Sequence, residues 1–86
     1  MFTAEAFLDR THAQPFIPFR LVASSGEAYD DKHPELILVG DRFLEIGVPK
    51  KPDSLIAHQI YRVALLHVTA VNDLPVPTPG TGNGPA

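Results

Sequence analysis

The sequence predicts a mainly β fold, in which a short N-terminal helix precedes a small antiparallel barrel of five or six strands. Turn signals rich in Gly, Pro, Asp and Ser recur at short intervals between segments rich in Val, Ile, Leu and Phe, which is typical of an all-β domain. After the first helix, no second helical pattern is available to cross between parallel strands. A small sheet that curls into a barrel also removes its exposed edges.

The chain has 86 residues, which is enough for one domain with a single modest core. Its last segment, "PVPTPGTGNGPA", alternates prolines and then glycines, and such a composition cannot bury an apolar face. We therefore assign residues 1–74 to one small barrel domain and residues 75–86 to a disordered tail. Alternatively, the tail is a short extended ligand for a groove on a partner, because its prolines favour the polyproline II conformation.

The helix is expected to begin after Thr3, whose side chain can cap the first turn. Phe2 and Phe7 have the spacing of a hydrophobic staple. Pro15 disfavours helical backbone before it, so the helix is expected to end at residue 12 or 13. A helix this short is unstable alone, so we expect its apolar side, with Phe7 and Leu8, to close one end of the barrel.

Six strand-like segments follow the helix. Gly26 lies in the turn between the first two, and Gly40 and Asp41 mark a second tight turn. Pro34 predicts a bend or an edge position before the third strand. The predicted strands cover residues 18–24, 27–32, 36–39, 42–48, 55–63 and 67–72.

The stretch "HQIYRVALLHVTAV" (58–71) begins and ends like a β-strand, but its middle breaks the alternation expected of one long half-buried strand. A single 3₁₀ turn between two strands would produce this pattern. We place the turn at Ala64–Leu66. The residues expected to face the core around it are Tyr61, Val63, Val68 and Ala70.

A short helix, five bent strands and a closing strand–turn–strand resemble the Sm-like family that includes Hfq, and also the SH3-like small barrels. The segment "YRVALLHV" (61–68) in particular looks like the closing element of the Sm-like family. The chain lacks a clear Sm-type Asn or Gly signature in its middle strands, and it is acidic where an RNA-binding ring is usually basic. The resemblance therefore implies the barrel fold rather than RNA binding.

A second resemblance covers most of the predicted domain. The chain is similar to short bacterial proteins that combine a "QPFxPF" segment, a Gly hairpin, "HPE" and "HVT". In this sequence these are Gln14–Phe19, Gly26, His33–Glu35 and His67–Thr69. This resemblance implies no particular activity.

Composition excludes several kinds of chemistry. The formal net charge is −3 and the isoelectric point is near 5.7, so nucleic acid is not an expected partner unless a local basic patch exists. The chain has no cysteine, which excludes Cys-ligated zinc and thiol catalysis. It also has no apolar run of the ~20 residues needed to span a membrane and no basic signal segment, so we expect a cytoplasmic protein.

No catalytic triad, phosphate-binding loop or dinucleotide-binding glycine pattern is recognisable in the sequence. We therefore expect no enzymatic activity, no cofactor and no small-molecule substrate. The four histidines, at positions 12, 33, 58 and 67, lack metal-binding spacing, and we expect His67 to bond to a backbone carbonyl.

The acidic segment "DDKHPE" (30–35) is the strongest candidate for chemistry. Asp30, Asp31, His33 and Glu35 could bind a metal or move a proton. Strand alternation places Asp31 and His33 on one side and Asp30 on the other, so at most two or three can converge. The interpretation we favour is a solvated, charged edge strand that opposes aggregation.

Lys50 and Lys51, with Arg42 and Arg62, are the candidate nucleic-acid contacts, because cationic side chains in one patch can bind phosphates. The alternative, which we favour, is a soluble loop stiffened by its prolines.

These observations lead to three functional hypotheses. The first is a non-catalytic interaction module that binds another protein or itself, as a homo-oligomer, through an edge strand or the helix face. The second is an Sm-like RNA-binding protein. The third is an accessory subunit held in a larger complex.

Overall fold

The computed structural model describes residues 2–75, which fold into one α-helix, six strands and two 3₁₀ turns. The mainly β class and the short N-terminal helix are therefore confirmed. Residues 76–86 of the predicted tail lie outside the described residues. The elements are α1 (Ala4–His12), β1 (Phe19–Ala23), β2 (Ala28–Asp31), β3 (Ile37–Val39), β4 (Phe43–Pro49), β5 (Ala57–Ala64) and β6 (Val68–Asp73).

The six strands form two sheets of three strands each, ordered β2-β1-β6 and β3-β4-β5. Neighbouring strands are antiparallel throughout, as predicted. Closure into one barrel is not confirmed, because no strand pairing joins the two sheets within residues 2–75. The chain crosses between the sheets at two 3₁₀ turns, Pro34–Leu36 and Leu65–His67. At the first, Pro34 cannot donate a backbone hydrogen bond, which interrupts strand pairing.

The break in alternation within residues 58–71 is a 3₁₀ turn, as predicted. It lies at Leu65–His67, one residue later than the predicted Ala64–Leu66. The backbone N–H of Leu65 donates to the carbonyl of Arg42 at 2.9 Å. This bond ties the start of the turn to the segment that precedes β4.

Two of the four residues expected to face the core around this turn, Val63 and Val68, are buried, and Ala70 is half-buried. Tyr61 lies on the core side of its sheet, since its cross-strand partner is the buried Ile46, but it is 37% exposed and so lies at the margin of the core. The centre of its ring lies 5.2 Å from that of Tyr29 in the other sheet, and solvent reaches part of this pair.

The core lies between the two sheets and under α1. Its centre is the Phe19 ring, which lies 6.1 Å from the ring of Phe7 and 6.2 Å from that of Phe16. Because no backbone ladder joins the sheets, burial of these side chains is what holds the sheets together. The buried apolar residues are Phe7, Phe19, Leu21, Ala23, Leu44, Ile46, Val63 and Val68.

Helix α1 begins and ends where the sequence predicts. The Thr3 hydroxyl accepts a hydrogen bond from the N–H of Ala6 at 3.1 Å, and Phe2 lies 6.0 Å from Phe7 in the expected staple. Phe7 is buried as predicted, but Leu8 is 43% exposed, so its predicted packing is wrong. Successive helical residues point about 100° apart, and only Phe7 points into the core.

We expect Phe7→Ala to destabilise the fold by about 3 kcal/mol, because it removes a fully buried ring and leaves a cavity. Leu8→Ala is the matched control on the same helix and should cost under about 1 kcal/mol, since that side chain is partly in water. Denaturant unfolding of both variants measures the difference. Equal losses would show that Phe7 does not anchor the helix.

Candidate functional site

A cavity of about 240 Å³ lies where the end of β2 meets the end of β4. It brings together the acidic segment and the lysine-containing loop, which the sequence analysis treated as separate candidates. Asp31, His33 and Lys50 are polar residues on its lining, which is otherwise largely apolar. We call it the Asp31 cavity. The apolar residues of its walls are Leu36, Ile37, Val48, Pro49 and Pro52.

Asp31 is buried because of its place in the sheet. It is the cross-strand partner of Phe19, and side chains of such partners lie on the same face. Phe19 points into the core, so Asp31 points inward as well and is only 2% exposed. The solvated, charged edge strand that we favoured from the sequence is therefore wrong for this residue.

The Asp31 carboxyl group has no hydrogen-bond partner at either oxygen. Burial, together with the negative charge of the neighbouring Asp30, raises its pKa to about 7. Desolvation disfavours the ionised form of a carboxyl group. Near neutral pH, Asp31 therefore exists in both its neutral and its charged form.

Asp30 points to the opposite side of β2, as alternation predicts. Its carboxylate accepts two hydrogen bonds from Arg20, from Nε at 2.6 Å and from Nη2 at 3.0 Å. The hydrogen bond from Arg20 is the main reason that the pKa of Asp30 lies below its usual value. Two adjacent aspartates thus have opposite environments, one paired at the surface and one unpaired inside.

His33 is hydrogen-bonded to the loop that follows β4. Its Nε2 lies 2.8 Å from the carbonyl oxygen of Pro52. A carbonyl oxygen only accepts, so Nε2 carries the hydrogen. This bond fixes one wall of the Asp31 cavity and uses the donor that His33 could otherwise offer to Asp31.

Gly47 shapes another part of the cavity. A Cβ atom at this position would lie 3.1 Å from Cβ of Ala57 and 3.4 Å from Cβ of Leu36. The missing side chain therefore lets Leu36 pack closely against β4. Leu36 in turn lines the Asp31 cavity.

The metal site considered for Asp30, Asp31, His33 and Glu35 is not formed by the described part of the chain. Residues 2–75 contain no group of three or more His, Asp or Glu side chains placed to hold a metal ion. Asp30 is paired with Arg20, and the ring of His33 bonds to a carbonyl.

The four basic residues do not form one patch. Lys50 lines the Asp31 cavity and Lys51 is the next, exposed residue of that loop. Arg62 lies on β5, where Nη2 donates to Glu45 at 2.6 Å and the guanidinium stacks 4.5 Å from the centre of the Phe43 ring. Arg42 lines a different hollow, beside the start of α1.

His67 bonds differently from the prediction. Its Nδ1 lies 3.3 Å from the hydroxyl oxygen of Ser24, and its own carbonyl accepts a hydrogen bond from the Ser24 N–H at 2.7 Å. The expected bond from its ring to a backbone carbonyl is therefore wrong. These two contacts join the second 3₁₀ turn to the β1–β2 hairpin.

A second notable surface is the side of the β3-β4-β5 sheet that faces away from the core, which we call the outer face. Leu38 and Ile60 stand on it and are 57% and 66% exposed. Between them lies the Glu45–Arg62 ion pair. Strand β5 is an edge of this sheet, since β4 is its neighbour there. The exposed apolar residues thus adjoin a strand edge.

Comparisons with protein-family models, with curated proteins and with solved structures find no match to this chain. Within residues 2–75, no helix is both long enough and apolar enough to cross a membrane.

We expect the stability of this protein to fall as pH rises from about 4 to about 7. Asp31 has a raised pKa in the folded state, so over this range the folded protein holds a proton that the unfolded chain has lost. The slope from this group is on the order of 1 kcal/mol per pH unit. Asp31→Asn should remove it, and denaturant unfolding at several pH values measures the difference between the two proteins.

Asp30→Asn is the matched control for that experiment. It removes the surface pair with Arg20 and should retain most of the slope between pH 4 and 7, because Asp31 remains buried. An Asp31→Asn protein that loses stability with pH as steeply as the wild type would show that Asp31 is not the titrating group.

Proposed function

We propose that this protein is a non-catalytic interaction module whose binding surface is the edge of β5 together with the outer face. A second copy of the chain is the partner that we propose. The observation that carries the proposal is the length and exposure of β5, an edge strand of eight residues in which the five consecutive residues His58–Arg62 are all exposed.

Edge strands of monomeric proteins are usually short, charged, or interrupted by proline. Strand β5 has none of these protections. Its sequence, "AHQIYRVA", contains no proline and no lysine, and its one cationic residue, Arg62, is paired with Glu45. The other edge of the same sheet, β3, has only three residues, so β5 offers the longer row of unpaired backbone groups.

Apolar side chains beside the edge add a driving force. Ile60 and Leu38 expose most of their side chains on the outer face, and Ile56, just before β5, is 80% exposed. Pairing of a strand with β5 would supply directed backbone hydrogen bonds, while burial of these side chains would supply hydrophobic free energy.

Two arrangements of copies are compatible with this surface. Pairing of β5 with β5 of a second copy gives a closed dimer, whereas pairing of β5 with a different edge, such as β6, gives a ring or a filament. A ring of five to seven copies would favour the alternative hypothesis, an Sm-like RNA-binding protein. That hypothesis is supported by the order of the elements, in which a helix and strands are followed by a closing strand, 3₁₀ turn and strand.

We expect Ile60→Glu to weaken self-association by at least about tenfold, because it would place an unpaired charge in the interface. Leu8→Glu is the control, since Leu8 is a similarly apolar, partly exposed residue that lies on α1. Sedimentation velocity over a wide range of protein concentration measures both variants. A wild-type protein that stays monomeric throughout, or equal effects of the two substitutions, would contradict the proposed interface.

RNA binding is the second candidate function, and its favourable observation is the exposed Lys50–Lys51 loop. We expect no RNA or DNA binding tighter than the ~10⁻⁴–10⁻⁶ M typical of non-specific contacts at physiological salt. Titration of labelled RNA at two salt concentrations, with the wild type and a Lys50→Ala, Lys51→Ala variant, tests this. Submicromolar, salt-sensitive binding that the variant loses would replace the interaction module with the Sm-like function.

A further inference from the structure

Among the described residues, Asp31 is the one charged side chain in the buried interior. A buried carboxyl group normally has hydrogen-bond donors around it, because an unpaired one is costly. Here neither oxygen has one, although the group lines a cavity. No donor on the lining bonds to it: His33 bonds to Pro52, and Lys32 and Lys50, which also line the cavity, make no hydrogen bond to either oxygen.

The lining of the cavity restricts the class of ligand. A divalent metal ion prefers several oxygen or nitrogen ligands, and residues 2–75 offer no such group. An anion would be repelled by the Asp31 carboxylate. The remaining class carries several N–H donors on a positively charged atom and an apolar body, because Asp31 is the unpartnered carboxyl group of the lining and most of the surface of the lining is apolar.

We infer that the Asp31 cavity binds a small organic ammonium compound. The ammonium group donates to the Asp31 carboxylate, and the hydrocarbon part packs against Leu36, Val48 and Pro52. This inference does not rest on the proposed self-association.

Binding of this kind is linked to pH. Alkylammonium groups, like the Lys side chain, keep their charge to about pH 10, so the pH dependence near neutrality comes from the protein. The pKa of Asp31 is about 7, and the ionised form is the one that pairs with a cation. Asp30, Lys32, His33 and Lys50 are the other charged or titratable groups on the lining.

Titration of the full chain with n-butylammonium, followed by amide chemical shifts in NMR spectra, tests the inference. We expect saturable shifts at residues 30–33 and 47–52 with a dissociation constant below about 10 mM, which is reasonable for a ligand of five heavy atoms. Affinity should be at least about tenfold weaker at about pH 5.5 than at about pH 8.5, where Asp31 is ionised.

Three controls decide the outcome. Asp31→Asn should weaken binding at least about tenfold, while Asp41→Asn, at an exposed position that does not line the cavity, should change it less than about threefold. The neutral probe 1-pentanol, of similar length, should bind more weakly than n-butylammonium. Equal affinity for the two probes, or unchanged affinity in Asp31→Asn, would overturn the inference.

Lys50 needs its own control because it lines the same cavity. Lys50→Ala removes a positive charge from the lining, so the affinity for n-butylammonium should rise, but by less than about tenfold. A gain of more than about tenfold would show that the amine of Lys50 already occupies the site, and would overturn the inference. Tighter binding of Ca²⁺ or Mg²⁺ than of n-butylammonium to the same residues would overturn the ligand class in favour of a metal ion.

Discussion

One set of apolar side chains, packed between two sheets that share no strand pairing, is the constraint on which the rest of this structure depends. The middle strands β1 and β4 supply its deepest members, Phe19, Leu21, Leu44 and Ile46. An edge strand has a neighbouring strand on one side only. The exposed edge of β5 follows from this, and the Asp31 cavity lies where the end of the edge strand β2 meets the end of β4.

Asp31 is a direct product of the same constraint. The residue opposite Phe19 must face the interior, and the chain has an acid at that position. An apolar residue of similar size would avoid the desolvation cost of the carboxyl group. The chain thus has a locally destabilising residue on the lining of a cavity, a combination that is typical of binding sites.

The Asp31 cavity and the outer face also share part of their structure. Leu36, Ile37 and Gly47 line the cavity and also a shallow hollow on the outer face. A change in the packing of Leu36 against β4 would therefore alter both surfaces.

Local patterns in the sequence predicted most of the fold. The Thr3 cap, the Gly26 turn and the 3₁₀ turn within residues 58–71 depend on residues close together in the chain. The features that the sequence did not predict depend on long-range relations. Closure of the sheets, which is not confirmed, depends on pairing between distant strands, the exposure of Leu8 and Tyr61 depends on where the core ends, and the burial of Asp31 depends on its register against Phe19.

The candidate site was predicted only in part, for the same reason. The sequence analysis singled out both Asp31 and Lys50 but could not place them on one cavity, because the end of β2 and the loop after β4 meet only in the folded chain. Burial of Asp31 did have a local signal. Tyr29 and Asp31 occupy alternate positions of β2, so an inward Tyr29 implies an inward Asp31.

The order of the strands has a consequence for how the chain folds. Strands β3, β4 and β5 follow one another as a meander, but the other sheet is completed only when β6 returns to β1. The hydroxyl of Thr69, for example, donates to the carbonyl of Val22, which is 47 positions away. Closing so long a loop costs entropy before any contact compensates for it. Pairing of β6 with β1 costs less entropy once the meander has shortened the intervening loop, so the domain should fold and unfold as one unit and resist division into two independent halves.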